Sequence, residues 1–107
     1  PELWHKRILR KVPAEKSFTF FYEFSRPTGL TASSLYEFYS ILKTIDVKSI
    51  KFHMSRGDFE QWLLQVIGDE ELAREISKLS GIKDGRLLRM RLLRRIEKRI
   101  RELERMK

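Results

Sequence analysis

The feature that most constrains the fold is a long amphipathic segment near the C-terminal end, from Asp84 to Met106. Its leucines and isoleucines recur at steps of three and four residues, which places them on one face of an α-helix. A helix of this length extends over roughly 35 Å, about the diameter of a small domain. The other residues must therefore provide elements that cover one side of this helix. A chain of 107 residues suffices for one hydrophobic core, so we expect a single domain over residues 1–107.

Most of the excess positive charge of the chain falls in the same segment. Residues 83–107 contain 11 Lys or Arg and 4 Asp or Glu, while residues 1–82 are nearly neutral, and the whole chain has a net charge of +8. On a helix, most of these cations lie opposite the apolar face. The predicted basic face consists of Arg91, Arg94, Arg95, Lys98, Arg101 and Arg105. Uncompensated cations on one face attract an anionic partner, so we expect contact with a nucleic-acid backbone.

The apolar face of the helix suggests a second class of partner. Its spacing resembles that of a coiled coil, in which two helices pack along their apolar faces. The residues of this predicted interaction face are Leu93, Ile96, Ile100 and Leu103. A partner protein or a second copy of the chain could use this face, so an adaptor or self-assembling module is the alternative hypothesis. A helix lying on a membrane surface is a third interpretation, weakened by the lack of an aromatic anchor after residue 84.

The rest of the chain predicts a mainly α fold, with four to five helices in a small bundle and a short strand or hairpin near residues 17–32. Ser34 followed by Glu37 is typical of a capping box at a helix start, and helical spacing follows it. Residues 46–55 fit both helical and strand periodicity, and we favour a helix there. Further helical patterns cover residues 2–12, 58–66 and 69–79.

Alternating aromatic residues predict the strand, over Ser17–Phe24. Four of its five rings lie on one side, which we expect to face the core, and Phe21 lies alone on the other side. The four inward-facing rings are those of Phe18, Phe20, Tyr22 and Phe24. Such rings could instead form a platform for unpaired nucleic-acid bases, but core packing explains the alternation better. Residues Arg26–Gly29 predict a turn that leads to a short partner strand at Leu30–Ala32.

The predicted core combines the strand with the apolar stripes of the helices. In the segment that begins at Asp58, apolar residues recur at the first, fourth, fifth and eighth positions of one stripe, so all four are expected inside. The expected core residues are Phe18, Phe20, Leu35, Phe38, Leu42, Phe59, Trp62, Leu63, Val66, Leu72 and Ile76.

His53 is the residue that most invites a catalytic or metal-binding interpretation, because Asp58 and Glu60 follow it closely. The chain has two histidines, no cysteine and no ligand motif of established spacing, so we expect neither a metal site nor a cofactor. We expect His53 to hydrogen-bond near the start of the next helix, which Asp58 caps. No combination of nucleophile and base and no Gly-rich phosphate loop is present, so we predict no enzymatic activity.

The composition is typical of a heat-adapted intracellular protein. Cys and Asn are absent, while Lys, Arg and Glu are abundant. No apolar run approaches the roughly 20 residues that cross a bilayer, and no signal-peptide pattern opens the chain. We therefore expect a cytoplasmic protein.

Residues 15–77 also carry an ordered set of short motifs. In chain order they are EKSF from Glu15, TG from Thr28, ASSLYEF from Ala32, SIKFH from Ser49, RGDFEQW from Arg56 and IGDEELA from Ile67. In this order the set resembles a family of small, mainly archaeal domains of unknown function. The resemblance covers about three fifths of the chain and implies an intracellular, mainly helical unit. It implies no activity and no catalytic residue.

Overall fold

In a computed structural model, which describes residues 3–106, the fold is mainly α with one two-stranded antiparallel hairpin. Along the chain the elements are α1 Trp4–Ile8, a 3₁₀ turn Ala14–Lys16, β1 Phe18–Glu23, β2 Arg26–Ala32, α2 Leu35–Leu42, α3 Val47–Arg56, α4 Asp58–Trp62, a π-helical turn Leu63–Ile67, α5 Glu70–Ser77 and α6 Gly85–Arg105. The predicted fold class is confirmed. The ambiguous segment 46–55 is helical, as we favoured.

The hairpin turns earlier than the sequence indicated. Only Phe24 and Ser25 join β1 to β2, and the predicted turn at Arg26–Gly29 lies within β2, so that prediction is wrong. The register between the strands shifts twice, and Gly29 has a φ of +88°, which is typical of a β-bulge. A strand in a two-stranded sheet tolerates Pro27, because one edge of the strand needs no N–H donor. The Pro and Gly residues therefore mark an irregular strand.

Because β1 ends one residue before Phe24, the aromatic alternation ends there too. Phe18 and Phe20 are buried as predicted, whereas Tyr22 and Phe21 are half-buried. Phe24 is 71% exposed, so its predicted place in the core is wrong. Its position in the turn directs it out of the sheet and away from the other rings of its strand.

The capping box at the start of α2 is confirmed. The Ser34 hydroxyl accepts a hydrogen bond from the N–H of Glu37 at 3.1 Å. The Glu37 carboxylate in turn accepts from the N–H of Ser33 at 2.8 Å. These bonds satisfy amides that have no partner within the helix, so the start of α2 is fixed by its own sequence.

The first helix, α1, is shorter than the predicted range 2–12, of which residue 2 lies outside the described residues. Pro13 disfavours helical backbone in the residue before it, so the pattern cannot continue through Val12. The N–H of Val12 instead donates to the carbonyl of Ser33 at 2.7 Å. Val12 is nevertheless buried, and its side chain packs in the core although its backbone is not helical.

The π-helical turn after α4 changes which residue faces the core. A π turn holds an additional residue, so the residues that follow rotate relative to a regular α-helix. Ile67 is buried, and Val66, which the sequence placed in the core, is only partly buried. The Val66 prediction is therefore wrong, whereas the other ten predicted core residues are buried.

The inner face of α6 closes the core against α1, α2, α3 and α5. Leu88, Leu92 and Ile96 on this face are almost completely inaccessible to solvent. At the first turn, a Cβ atom on Gly85 would lie 2.3 Å from Cγ1 of Val47 in α3, which is shorter than any real contact. Glycine therefore permits α6 to begin this close to α3.

Candidate nucleic-acid interface

The basic face of α6 is narrower than the sequence suggested. Five of the six predicted residues are exposed and fall within roughly 80° of the helix circumference. They are Arg91, Arg94, Lys98, Arg101 and Arg105, which together we call the basic stripe. The stripe extends over roughly 21 Å along the helix and lies opposite Ile96, which is fully buried. All four acidic residues of the segment 83–107 lie outside this arc.

Few carboxylates neutralise the basic stripe. Arg101 pairs with Glu97 one turn away at 3.4 Å, and both side chains are largely exposed. Arg91, Arg94 and Arg105 form no ion pair with any of residues 3–106. An exposed ion pair such as Arg101–Glu97 contributes little to the stability of the fold, because water and salt screen the attraction between its charges. The stripe therefore keeps most of its charge available to a partner.

The sixth predicted residue, Arg95, belongs to a different surface. It lies beside the basic stripe and forms an ion pair with Glu75 of α5. A hydrogen bond from Lys78 and the charges of Arg95 and Lys98 lower the pKa of Glu75. Arg95 therefore connects α6 to α5, and its predicted role in contacting nucleic acid loses its structural basis.

The predicted interaction face of α6 lies inside the domain. Ile96 and Leu103 are 0% exposed and Ile100 is 8% exposed, while Leu93 is partly buried. These side chains pack against the elements of their own chain, so this face is not available to a second helix. An adaptor or self-assembling module would therefore need a docking surface other than this face. The same burial removes the face from a membrane surface.

Arg99 is a charged residue of α6 whose role the sequence did not reveal. It is 8% exposed, and its Nε and Nη2 donate to both carboxylate oxygens of Asp69 at 2.8 and 3.1 Å. Burial alone lowers the pKa of Arg99, but the Asp69 carboxylate raises it overall. Asp69 also accepts from the N–H of Leu72 and so caps α5. Arg99 follows Leu92 by seven residues and precedes Leu103 by four, which was a signal of burial, but its counterion lies 30 residues away.

His53 links the hairpin to the helices and is not free to act as a base. Its Nε2 accepts a hydrogen bond from the N–H of Phe21 at 2.9 Å, so the proton is on Nδ1, which donates to Asp58 at 2.8 Å. Burial lowers the pKa of His53, although Asp58 opposes this shift. The predicted bond from His53 to the helix start is confirmed. The predicted cap is wrong, because Asp58 binds His53 and Arg56 while Gly57 is the N-cap.

An aromatic pocket of about 430 Å³ opens beside this network. Its walls include the rings of Phe21, Phe24 and Phe52 and the guanidinium of Arg56, whereas α6 contributes no lining residue. From this group, the sequence placed Phe21 on the side of the strand that faces away from the core. It could not identify the pocket as a whole, because Phe24 was assigned to the core and Arg56 lies on a different element, far from Phe24 in the chain.

Within residues 3–106, no group of three or more His, Cys, Asp or Glu side chains is arranged to hold a metal ion. None of the helices in this range combines the length and apolar character that a membrane span requires. Comparison of the chain with protein-family models, curated proteins and solved structures gave no match. The resemblance to a mainly archaeal family therefore stays a prediction.

Proposed function

We propose that this protein binds the sugar–phosphate backbone of nucleic acids through the basic stripe of α6. The observation that carries the proposal is the concentration of five exposed cations on one side of one helix. Among residues 3–106, the Arg101–Glu97 ion pair and the charge of Glu75 near Lys98 offset only part of their charge. Cations held this close repel one another, and a polyanion that lies along the helix converts this repulsion into attraction.

The dimensions and chemistry of the stripe suit a chain of phosphates. Its members follow one another at steps of three and four residues, which separates neighbouring side chains by roughly 5–6 Å along the helix. Four of the five are Arg, whose planar fork contacts phosphate oxygens at two points. The stripe contains no amide side chain that would distinguish one base from another. We therefore expect binding without sequence preference.

Salt dependence gives the first test. The affinity for a fluorescein-labelled duplex of about 20 base pairs is measured by fluorescence anisotropy between about 50 and 200 mM salt. Each phosphate neutralised releases counterions, so five contacts give a slope of log affinity against log salt of about −4 to −5. Absence of binding at the lowest salt concentration would rule out the proposal.

Charge reversal with a matched control gives the second test. The Arg94→Glu/Lys98→Glu variant should lose most duplex binding, because it removes two cations and adds two repelling carboxylates at the centre of the stripe. The control is Lys16→Glu/Lys43→Glu, which changes the net charge equally at exposed positions outside α6. It should bind nearly as the wild type does. Equal loss in the two variants would show that overall charge, and not the stripe, drives binding.

A further inference from the structure

The aromatic pocket has walls that suit a flat ring. Phe24 is 71% exposed, and its ring meets that of Phe52 edge-on at 5.5 Å between centroids. The Arg56 guanidinium lies 4.6 Å from the centre of the Phe24 ring and 5.3 Å from that of Phe52. Aromatic rings and guanidinium planes are the groups on which unpaired bases stack in proteins.

The guanidinium and the ring are held in place before any ligand arrives. Arg56 Nε donates to Asp58 Oδ2 at 3.0 Å, which fixes the plane that stacks on Phe24. The neighbour of Phe24 in the turn, Ser25, has a φ of +63°, which non-glycine residues seldom adopt. A positive φ is common in short hairpin loops, and here it sets the direction in which Phe24 leaves the sheet.

Polar groups without partners line the same pocket. Asp58 uses Oδ2 for both His53 and Arg56, and its Oδ1 accepts no hydrogen bond from any of residues 3–106. The side-chain amide of Gln61 and the hydroxyl of Thr19 also form no hydrogen bond within the described part of the chain. Together they offer an anionic acceptor, an amide that both donates and accepts, and a hydroxyl.

We propose that the aromatic pocket binds a nucleobase that carries an exocyclic amino group. The base stacks on the face of the Phe24 ring that the Arg56 guanidinium leaves free, and its amino group donates to Oδ1 of Asp58. The Gln61 amide pairs with the remaining edge of the base. A free nucleotide and an unpaired base in a single strand share this chemistry. The site is separate from the basic stripe, so it adds a second recognition surface to the protein.

The test uses 2-aminopurine, a fluorescent base with an exocyclic amino group whose emission is quenched by stacking. One titration follows 2-aminopurine ribonucleoside monophosphate, and another follows a short single strand that contains one 2-aminopurine. We expect the wild type to quench at least one of the two probes. Quenching of the monophosphate identifies a free nucleotide as a sufficient ligand, and quenching confined to the strand identifies a polymer.

Substitutions at the pocket decide whether the quenching arises there. Phe24→Ala should weaken binding roughly tenfold, because it removes one stacking surface, and its exposed position in a turn leaves the core intact. The matched control is Leu30→Ala, an exposed apolar residue of the same hairpin that does not line the pocket. It should bind as the wild type does. No quenching of either probe by the wild type, or equal quenching by Phe24→Ala, would overturn the proposal.

The two proposals fail separately. The Arg94→Glu/Lys98→Glu variant should lose duplex binding and still quench the monophosphate, because the basic stripe does not line the pocket. Phe24→Ala should keep its duplex affinity. If the wild type binds duplex but quenches neither probe, backbone binding stands and the base site is overturned. If it quenches a probe but does not bind duplex, the base site stands and backbone binding is overturned.

Discussion

The two sides of α6 carry the same residue type in opposite environments. On the inner side, Arg99 is 8% exposed and donates to both carboxylate oxygens of Asp69. On the outer side, Arg94 is exposed and forms no ion pair with any of residues 3–106. The helix supplies cations on both sides, but α5 supplies carboxylates on one side only. The inner arginine therefore stabilises the fold, and the outer arginines are left for a partner.

Removal of the inner cation should have the largest effect. Arg99→Ala is expected to lower the free energy of unfolding by about 3–5 kcal/mol, because Asp69 is then buried and unpaired. Arg94→Ala should change it by no more than about 0.5 kcal/mol. Urea unfolding followed by circular dichroism measures both. Equal losses in the two variants would contradict the comparison between the two sides.

A double substitution sharpens this test. Arg99→Met/Asp69→Asn removes both charges of the buried pair and keeps a side chain that can cap α5. Because the carboxylates that remain, Glu71 and Glu102, are solvated and no buried charge is left unpaired, we expect it to be clearly more stable than Arg99→Ala. If the double variant is the less stable of the two, the cost of Arg99→Ala comes from lost packing and not from the orphaned carboxylate.

Close packing at the inner side predicts a second effect, at Gly85. Ala has the higher helix propensity by about 1 kcal/mol, which by itself would stabilise α6. The added Cβ would meet Val47 at 2.3 Å, however, so we expect Gly85→Ala to destabilise the fold by about 1–3 kcal/mol. Gly81→Ala is the control, since nothing lies within 4 Å of its Cβ position. Thermal unfolding compares them, and a stabilised Gly85→Ala would contradict the packing described between α3 and α6.

His53 is buried like Arg99, but in its neutral form. Only neutral His53 can accept the hydrogen bond from the N–H of Phe21, and burial lowers its pKa below 6.5. The unfolded chain therefore takes up the proton first as the pH falls. The free energy of unfolding should decrease from pH 6.5 downward until the folded His53 also titrates. Urea unfolding at a series of pH values measures this decrease.

A non-titrating variant isolates the His53 contribution. His53→Gln keeps a side chain that can accept from Phe21 but cannot take up a proton. Its free energy of unfolding should depend less steeply on pH than that of the wild type just below pH 6.5. Titratable groups that do not contact His53 are present unchanged in both proteins, so their contributions cancel in the difference. Parallel pH profiles for the two proteins would show that His53 titrates alike in the folded and unfolded states.

The sequence predicted those parts of the fold that depend on local spacing. The capping box at Ser34 and the amphipathic pattern of α6 each act within a few residues, so both were recognised. The inward position of Phe24 was predicted wrongly, because a turn that is shifted by a few residues ends the alternation early. Val66 was misplaced for a similar reason, since no residue pattern announced the π-helical turn.

The candidate sites also differ in whether they depend on local spacing or on contacts between distant parts of the chain. The basic stripe follows from helical spacing alone, so the sequence identified all five of its members. The Arg99–Asp69 pair and the aromatic pocket depend on elements that are distant in the chain and meet only in the folded protein. The loss of Arg95 from the basic face has the same cause, because its partner Glu75 lies on another helix.

The smallest expected effect lies on the outer side and has the opposite sign to that of Arg99→Ala. Like charges one turn apart, such as Arg94 and Lys98, destabilise a helix by about 0.2–0.5 kcal/mol per pair. Arg94→Gln/Lys98→Gln should therefore raise the free energy of unfolding by about 0.5 kcal/mol at low salt. At about 1 M salt the gain should disappear, because the screening length falls to about 3 Å. Saturating duplex should stabilise the wild type and not this variant, since a ligand of the native state raises its stability. A variant with no gain at low salt would show that the fold already offsets the repulsion among the stripe cations, and the stripe would then carry less uncompensated charge than proposed.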